Sequence, residues 1–470
     1  MSDRSPRSAP RSTATGRIQP ARRIAFEVIT AVRESDAYAN LLLPVKLQRA
    51  RLSSQDAAFA TELTYGTLRL QGYYDAVIQL AAGRSVDDID SPILDVLRLG
   101  AHQLLSMRVA QHAAVDESVS LAREVGSRSA SGFANAILRT ITRSEVGDWH
   151  QRVLAEARND DERLSLEYSH PVWIIRAFRQ SLAAEGRESE LEDLLLADNV
   201  APRVSIVALP GLASVDELAG THRAEFSPVG VQSDGGDPGQ FPAVVAGRAR
   251  VQDEGSQLAA LALSRARPIV PGERWLDLCA GPGGKAALLA AEALAGGATL
   301  VANEVVPARA GLVSNALSVF ADPPQVLVQD GTRIGSTLPG QFDRILLDAP
   351  CTGLGALRRR PEARWRKRPE DVAELSALQA SLMASALNAL KPGGILAYVT
   401  CSPHLGETRG IVAGALEAAG ESVSRMDTAA VLASVTLTPL DLGESIGQVQ
   451  LWPQRHGTDA MFICLLQKSE

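Results

Sequence analysis

The sequence predicts a multidomain chain: an all-α N-terminal bundle, a small α+β connector, and a doubly wound α/β domain with a mostly parallel sheet. Three observations carry this. Residues 275–279 form a compact apolar run of the kind a strand buried on both faces shows, followed by a glycine-rich turn and a helix pattern. Beyond them, short apolar runs alternate with helical patterns to the end of the chain. Before them, residues 21–143 show only helical periodicity, as in Ile24, Val28 and Val32 at i, i+4 and i+8.

Composition narrows the class. A chain of 470 residues has room for two to four domains, each with its own core. No run of eighteen apolar residues exists, so no transmembrane helix is expected, and the N-terminus lacks the apolar core of a signal peptide. Cys279, Cys351, Cys401 and Cys464 show no C-x-x-C spacing, which predicts neither a disulfide framework nor a metal site. A cytoplasmic enzyme with free thiols fits best. The formal charge of −7 argues against a general nucleic-acid binder and turns attention to local charge.

Taken in order, residues 1–20 are rich in Ser, Pro and Arg and bury too little apolar area to fold, which predicts a disordered basic arm. Residues 21–145 predict five to seven short helices; Ser91 and Pro92 read as an N-cap and first turn, and Ile93, Leu97 and Leu104 continue the stripe. Phe133, Ile137 and Ile141 repeat that spacing. Residues 146–248 predict the connector, with a helix at 191–196, a strand at 203–207 and a loop at 230–242. Residues 249–470 predict the α/β domain. Its strands are expected at 275–279, 298–302, 326–329, 342–347 and 395–399, and its long helix at 369–390 stops at Lys391-Pro-Gly-Gly394. Residues 449–452 and 460–466 pair as a closing hairpin.

In an open parallel sheet the ligand lies beyond the carboxyl ends of the strands. Gly281-Pro-Gly283-Gly-Lys-Ala286 fits the G-x-G-x-x-A dinucleotide fingerprint; a phosphate loop fits worse, since Cys279 stands where its first Gly belongs and Ala286 follows the Lys. A plain turn stays open. Glu304 follows the second strand, where a carboxylate can accept from both ribose hydroxyls, and Asp330 follows the third, where it can face an adenine amino group. Asp348-Ala-Pro-Cys351 follows the fourth and Thr400-Cys401-Ser402 the fifth. Cys279 and Cys464 read as small buried hydrophobes. Cys351 and Cys401 face the crevice, and a thiol pair there suits cytosine chemistry: a thiolate adding to carbon 6 makes carbon 5 enamine-like and able to accept a methyl group.

Here Asp277-Leu-Cys-Ala-Gly-Pro-Gly-Gly-Lys285, Asp348-Ala-Pro-Cys-Thr-Gly-Leu-Gly355 and Thr400-Cys-Ser402 resemble the cofactor, proline–cysteine and threonine–cysteine motifs of the RNA 5-methylcytosine methyltransferases. Arg23-Ile-Ala-Phe-Glu-Val-Ile29, Phe59-Ala-Thr-Glu-Leu-Thr-Tyr-Gly66 and Phe133-Ala-Asn-Ala-Ile-Leu-Arg139 resemble the NusB helical domain. A NusB-like domain ahead of a Rossmann-like methyltransferase domain is the arrangement of the bacterial RsmB/Sun/Fmu-type ribosomal RNA enzymes. The resemblance implies S-adenosyl-L-methionine as cofactor, RNA as partner, Cys401 as nucleophile, Cys351 as release thiol, and Asp348 as a hydrogen-bond partner of the flipped cytosine, beside Lys285. It also implies a cofactor site lined by Cys279, Ala280, Gly281, Pro282, Gly283, Gly284, Lys285, Glu304, Arg309, Asp330, Gly331 and Asp348. Three departures stand out: Gly281 for the usual second Ala, Glu304 for the usual Asp, and Ala460-Met461-Phe462 for Gly-Phe-Phe.

The local charge then reads as an RNA contact. Arg358, Arg359, Arg360, Arg364, Arg366, Lys367 and Arg368, with Trp365 among them, follow the Cys351 motif, and a basic segment bearing an aromatic suits looped RNA. Two rivals remain at this point: a nicotinamide-dependent oxidoreductase, which leaves the thiols idle, and a non-catalytic RNA-binding factor, which the intact thiol pair opposes.

Overall fold

The computed structural model describes residues 18–35, 37–443 and 447–470; most of the expected basic arm lies outside them. Its contacts divide the chain between Ser169 and His170.

The first unit is helical throughout its described residues. Seven α-helices run from Pro20–Glu34 to Arg128–Ile141. Ile24, Val28 and Val32 turn inward together, as a 3.6-residue period requires. The helix Ser91–Leu105 is capped one residue earlier than expected: Asp90 is the N-cap, and Ser91 and Pro92 form its first turn. Two more helices, Val146–Leu154 and Asp160–Tyr168, belong to this unit. Trp149 is fully buried in the core that holds Ile137 and Leu138, and its Nε1 donates to the Ile141 carbonyl at 2.9 Å. The division of the structure therefore falls later than the 145/146 boundary read from the sequence.

The second unit begins with the helices Val172–Ala183 and Leu191–Asp198. A four-stranded antiparallel sheet follows: β1 (Val204–Ala208), β2 (His222–Arg223), β3 (Gly230–Ser233) and β4 (Ala249–Val251), in the order β2-β3-β1-β4. The sequence placed a loop at 230–242. Instead Val231 is buried and its neighbours pair with β1, Gly230 opposite Val207 and Ser233 opposite Val204. The helix Glu254–Ser264, capped by the Asp253 side chain, leads into the main sheet.

That sheet contains β5 (Arg274–Asp277), β6 (Thr299–Asn303), β7 (Gln325–Leu327), β8 (Phe342–Asp348), β9 (Leu390–Thr400), β10 (Val423–Arg425), β11 (Val449–Gln450) and β12 (Phe462–Lys468). Its path is β10-β12-β9-β8-β5-β6-β7, with β11 antiparallel to β12 in the expected hairpin. The five strands β9-β8-β5-β6-β7 run parallel. Side chains alternate between faces: Trp275 joins the core around the helices Glu254–Ser264 and Gly284–Ala295, and Leu276 joins that of the helix Pro369–Ala389. Both faces are covered, which is why these strands read as continuous apolar runs. The stop signal at residues 391–394 ends the helix at Ala389, but the chain continues as β9. Its glycines form an irregularity there, with Gly393 at φ +70° and the pairing with β8 slipping between Phe342 and Arg344.

Candidate active site

The strand order sorts the candidate residues into two groups. From β5 the chain winds outward through β6 and β7, then crosses to β8 and β9 on the other side, so the crevice opens where β5 meets β8. Asp277, Glu304 and Asp330 lie at or just past the ends of β5, β6 and β7, whereas Asp348, Cys351, Thr400 and Cys401 lie at or just past the ends of β8 and β9.

The glycine-rich turn is built by close approach. Gly283, at φ +107°, caps the helix Gly284–Ala295; a Cβ on it would lie 2.6 Å from the Cβ of Ala316. Ala280 donates its N–H to the Asn303 carbonyl, tying the turn to β6. Glu304 is buried and accepts from Gly281 N at 3.2 Å and Val306 N at 3.0 Å. Arg309 lies 3.5 Å from the Glu304 carboxylate and donates to the Gly281 carbonyl at 2.7 Å. Pro282 is exposed, and Gly284 opens the helix. Cys279 sits at the head of the turn, where burial pushes its thiol well up. Asp330 is exposed and its carboxylate caps the turn at Gly331–Arg333 through Thr332. Gly331 is buried, and a Cβ there would lie 2.8 Å from the Leu382 side chain.

The thiol group lies on the adjacent strand ends. The sulfurs of Cys351 and Cys401 are 3.5 Å apart. The Cys351 S–H bond to Cys401 lowers the Cys401 thiol from its ordinary value, and the nearby Lys285 charge works in the same direction. That same bond and burial push the Cys351 thiol well up. Lys285 reaches from the turn to Asp348 at 2.8 Å; burial opposes its charge, but the carboxylate outweighs burial and raises its pKa. Beneath them Asp277 is fully buried and its two carboxylate oxygens lack a well-formed hydrogen bond. Burial, then the Asp348 charge, push this acid up to about 8. Cys464, on β12, is wholly buried and far more basic than a free thiol, at about 12.

Three cations of the basic segment, Arg358, Arg359 and Arg364, are not part of the cationic surface its sequence suggested. Arg358 and Arg359 both pair with Asp253 and Asp459 at 2.7–3.1 Å, and Arg358 is buried. Arg364 is fully buried and donates to the Asp198 carbonyl and Asn199 Oδ1. These cations fasten distant segments of the chain to one another. Trp365, Arg366 and Lys367 are half-buried, and Arg360 and Arg368 are exposed.

Several residues of the site escaped the sequence reading. Asn303, the last residue of β6, donates to the Leu278 and Gln329 carbonyls and accepts from Gln329 N, stapling three strand ends together. Both amide atoms of Gln252 are buried without a partner, close to Gly284. Glu407, fully buried, accepts from Thr352 and Ser402, the residues that directly follow the two crevice cysteines.

Comparison with known proteins agrees with this geometry. Residues 267–467 match the family described as 16S rRNA methyltransferase RsmB/F, and residues 19–143 match the NusB family. The chain is 47% identical to the putative methyltransferase Rv1407 of Mycobacterium tuberculosis (strain H37Rv), over 98% of this chain and 99% of that one. It is 30% identical to the probable ribosomal RNA small subunit methyltransferase B of Synechocystis sp., over 96% and 99%. The crystal structure of PH0851 superposes with a TM-score of 0.78 at 24% identity, over 96% of this chain and 99% of that one. That of NSun6 from Pyrococcus horikoshii with SFG gives 0.51 at 16%, over 63% and 98%. At such identities the two structures speak to the fold alone. The chain belongs to the 16S rRNA methyltransferase RsmB/F family, and a NusB-family domain precedes its methyltransferase domain.

Proposed function

We propose that this protein transfers a methyl group from S-adenosyl-L-methionine to carbon 5 of a cytosine in small-subunit (16S) ribosomal RNA, through a covalent bond between Cys401 and the base. The observation that carries this reading is the pair of sulfurs 3.5 Å apart beside the Lys285–Asp348 ion pair.

The residues present fit the cofactor. Glu304 can accept from ribose hydroxyls, and the Cβ-free Gly281 lets that carboxylate sit directly against the turn. Val305 and Val328, exposed apolar side chains just past β6 and β7, offer surface to an adenine ring. When bound, S-adenosyl-L-methionine supplies an electrophilic methyl group on a sulfonium centre.

The chain's own groups do the rest. Cys401 holds the more acidic sulfur and adds as a thiolate to carbon 6, and the ring electrons move toward N3 and O2. Asp348 accepts hydrogen bonds from the cytosine, and Lys285 pairs with that carboxylate at 2.8 Å. Once carbon 5 carries the methyl group, Cys351, having given its own thiol proton to solvent, takes the proton from carbon 5 as a thiolate. That electron pair restores the double bond between carbons 5 and 6, and Cys401 leaves as a thiolate. A high thiol pKa suits this second task, since it makes Cys351 the stronger base.

The test is direct. With methyl-tritiated S-adenosyl-L-methionine and unmodified 16S ribosomal RNA, label should enter RNA at a cytosine that resists bisulfite conversion. Label at another base, or none, contradicts the reading.

A further inference from the structure

One carboxylate joins the loops that carry both crevice thiols. Glu407 is fully buried. Its Oε1 accepts from Thr352 N at 2.7 Å and from Gln379 Nε2 at 3.3 Å. Its Oε2 accepts from the Thr352 hydroxyl and from Ser402 Oγ at 2.6 Å. The two hydroxyls also lie 3.1 Å from each other. Gln379 reaches on to the Pro350 carbonyl, just before Cys351. The backbone of Glu407 is itself held, its carbonyl accepting from Tyr398 Oη at 2.7 Å.

Thr352 and Ser402 follow Cys351 and Cys401 directly, so this network sits one residue from each sulfur. The four hydrogen bonds to its carboxylate come from neutral donors, and a hydrogen bond to a carboxylate is stronger than one between neutral groups. A buried carboxylate is costly unless so held, and that cost makes the linkage hard to break one bond at a time. Such an arrangement is a poor way to gain stability and a good way to fix geometry.

We propose that Glu407 is a positioning residue for the thiol pair: its carboxylate clamps the Cys351 and Cys401 loops together and sets the separation of the two sulfurs. The inference rests on the double-thiol reading of the site. Its charge also faces Cys351, adding to the influences that keep that thiol protonated.

The test needs neither RNA nor cofactor, so it stands apart from the methylation assay. The full chain is treated with diamide, which takes up the two thiol hydrogens and electrons as the Cys351–Cys401 disulfide forms, and unreduced peptides are followed by mass spectrometry. Sulfurs already 3.5 Å apart should close rapidly in the parent. Glu407→Ala should slow closure at least about tenfold, and Glu407→Gln, which keeps the shape and an acceptor, should restore it to within about threefold. If Glu407→Ala does not fold, the pair Thr352→Val with Ser402→Ala takes its place, with closure slowed about fivefold or more. A folded Glu407→Ala protein, or that double variant, closing at the parent rate would overturn the proposal. Slow closure together with absent methylation in the parent would instead leave the clamp standing and remove the proposed reaction.

Discussion

Glu304 occupies the space that a side chain on Gly281 would need. A Cβ there would lie 2.2 Å from Glu304 Oε2 and 3.0 Å from the Arg309 guanidinium, while the Gly281 N–H donates to that same oxygen. Two departures from the family pattern, Gly for Ala and Glu for Asp, are thus one feature: the longer acid fits because the turn has no methyl group.

Gly281→Ala should therefore displace Glu304 and weaken S-adenosyl-L-methionine binding at least about tenfold in titration calorimetry. Adding Glu304→Asp, which withdraws the carboxylate by one methylene, should recover most of that loss. Glu304→Ala alone should cost roughly 1.5–3 kcal/mol, the range for hydrogen bonds to a charged group. Parent-like binding by Gly281→Ala would separate the two positions.

Arg358 and Arg359 predict a stability defect where the sequence predicted an RNA defect. Arg358→Ala leaves Asp253 and Asp459, both buried, with Arg359 as their remaining cation. Breaking a buried ion network on one side costs roughly 3–5 kcal/mol. The urea midpoint should fall accordingly. The salt dependence of RNA binding by the folded variant should not change, whereas loss of a phosphate contact on a single strand would flatten its slope by about 0.7.

Asp277 predicts a pH dependence. Its carboxyl is raised to about 8 in the folded chain, far above its ordinary value near 3.8. Between those values the folded chain holds a proton that the unfolded chain releases, so this group costs stability progressively as pH rises toward 8. Asp277→Asn removes that cost. Measured by urea unfolding from pH 5 to pH 8, the variant should gain on the parent by up to about 1.4 kcal/mol per pH unit. Parallel curves would show that Asp277 is ionised in the fold.

What was legible in the sequence follows from these cases. The parallel strands were readable because burial on both faces leaves uninterrupted apolar runs, each ending in or just before a polar residue. The helical unit was readable from one stripe per helix, whereas Trp149, beyond the last periodic segment, joins its core by packing and by the bond to the Ile141 carbonyl, which no period displays. Arg358 and Arg359 misled because a run of cations does not display its acids. The partners of Arg358, Asp253 and Asp459, are 105 and 101 residues away. Glu407 was invisible for the same reason, since its role depends on Thr352 and Ser402 arriving from two different strands. Short β3 hid within a glycine-rich stretch, where a single buried Val231 gives no period to detect.

The most direct test of the account removes each thiol in turn and asks whether RNA stays attached. Cys401→Ala and Cys351→Ala proteins are incubated with 16S ribosomal RNA and S-adenosyl-L-methionine, then run on denaturing gels. Cys401→Ala lacks the attacking sulfur and should be inactive and free of RNA. Cys351→Ala can still attack and methylate but cannot complete release, so it should accumulate a covalent protein–RNA band. The reverse pattern would exchange the two roles, and methylation undiminished in both variants would contradict the double-thiol mechanism altogether.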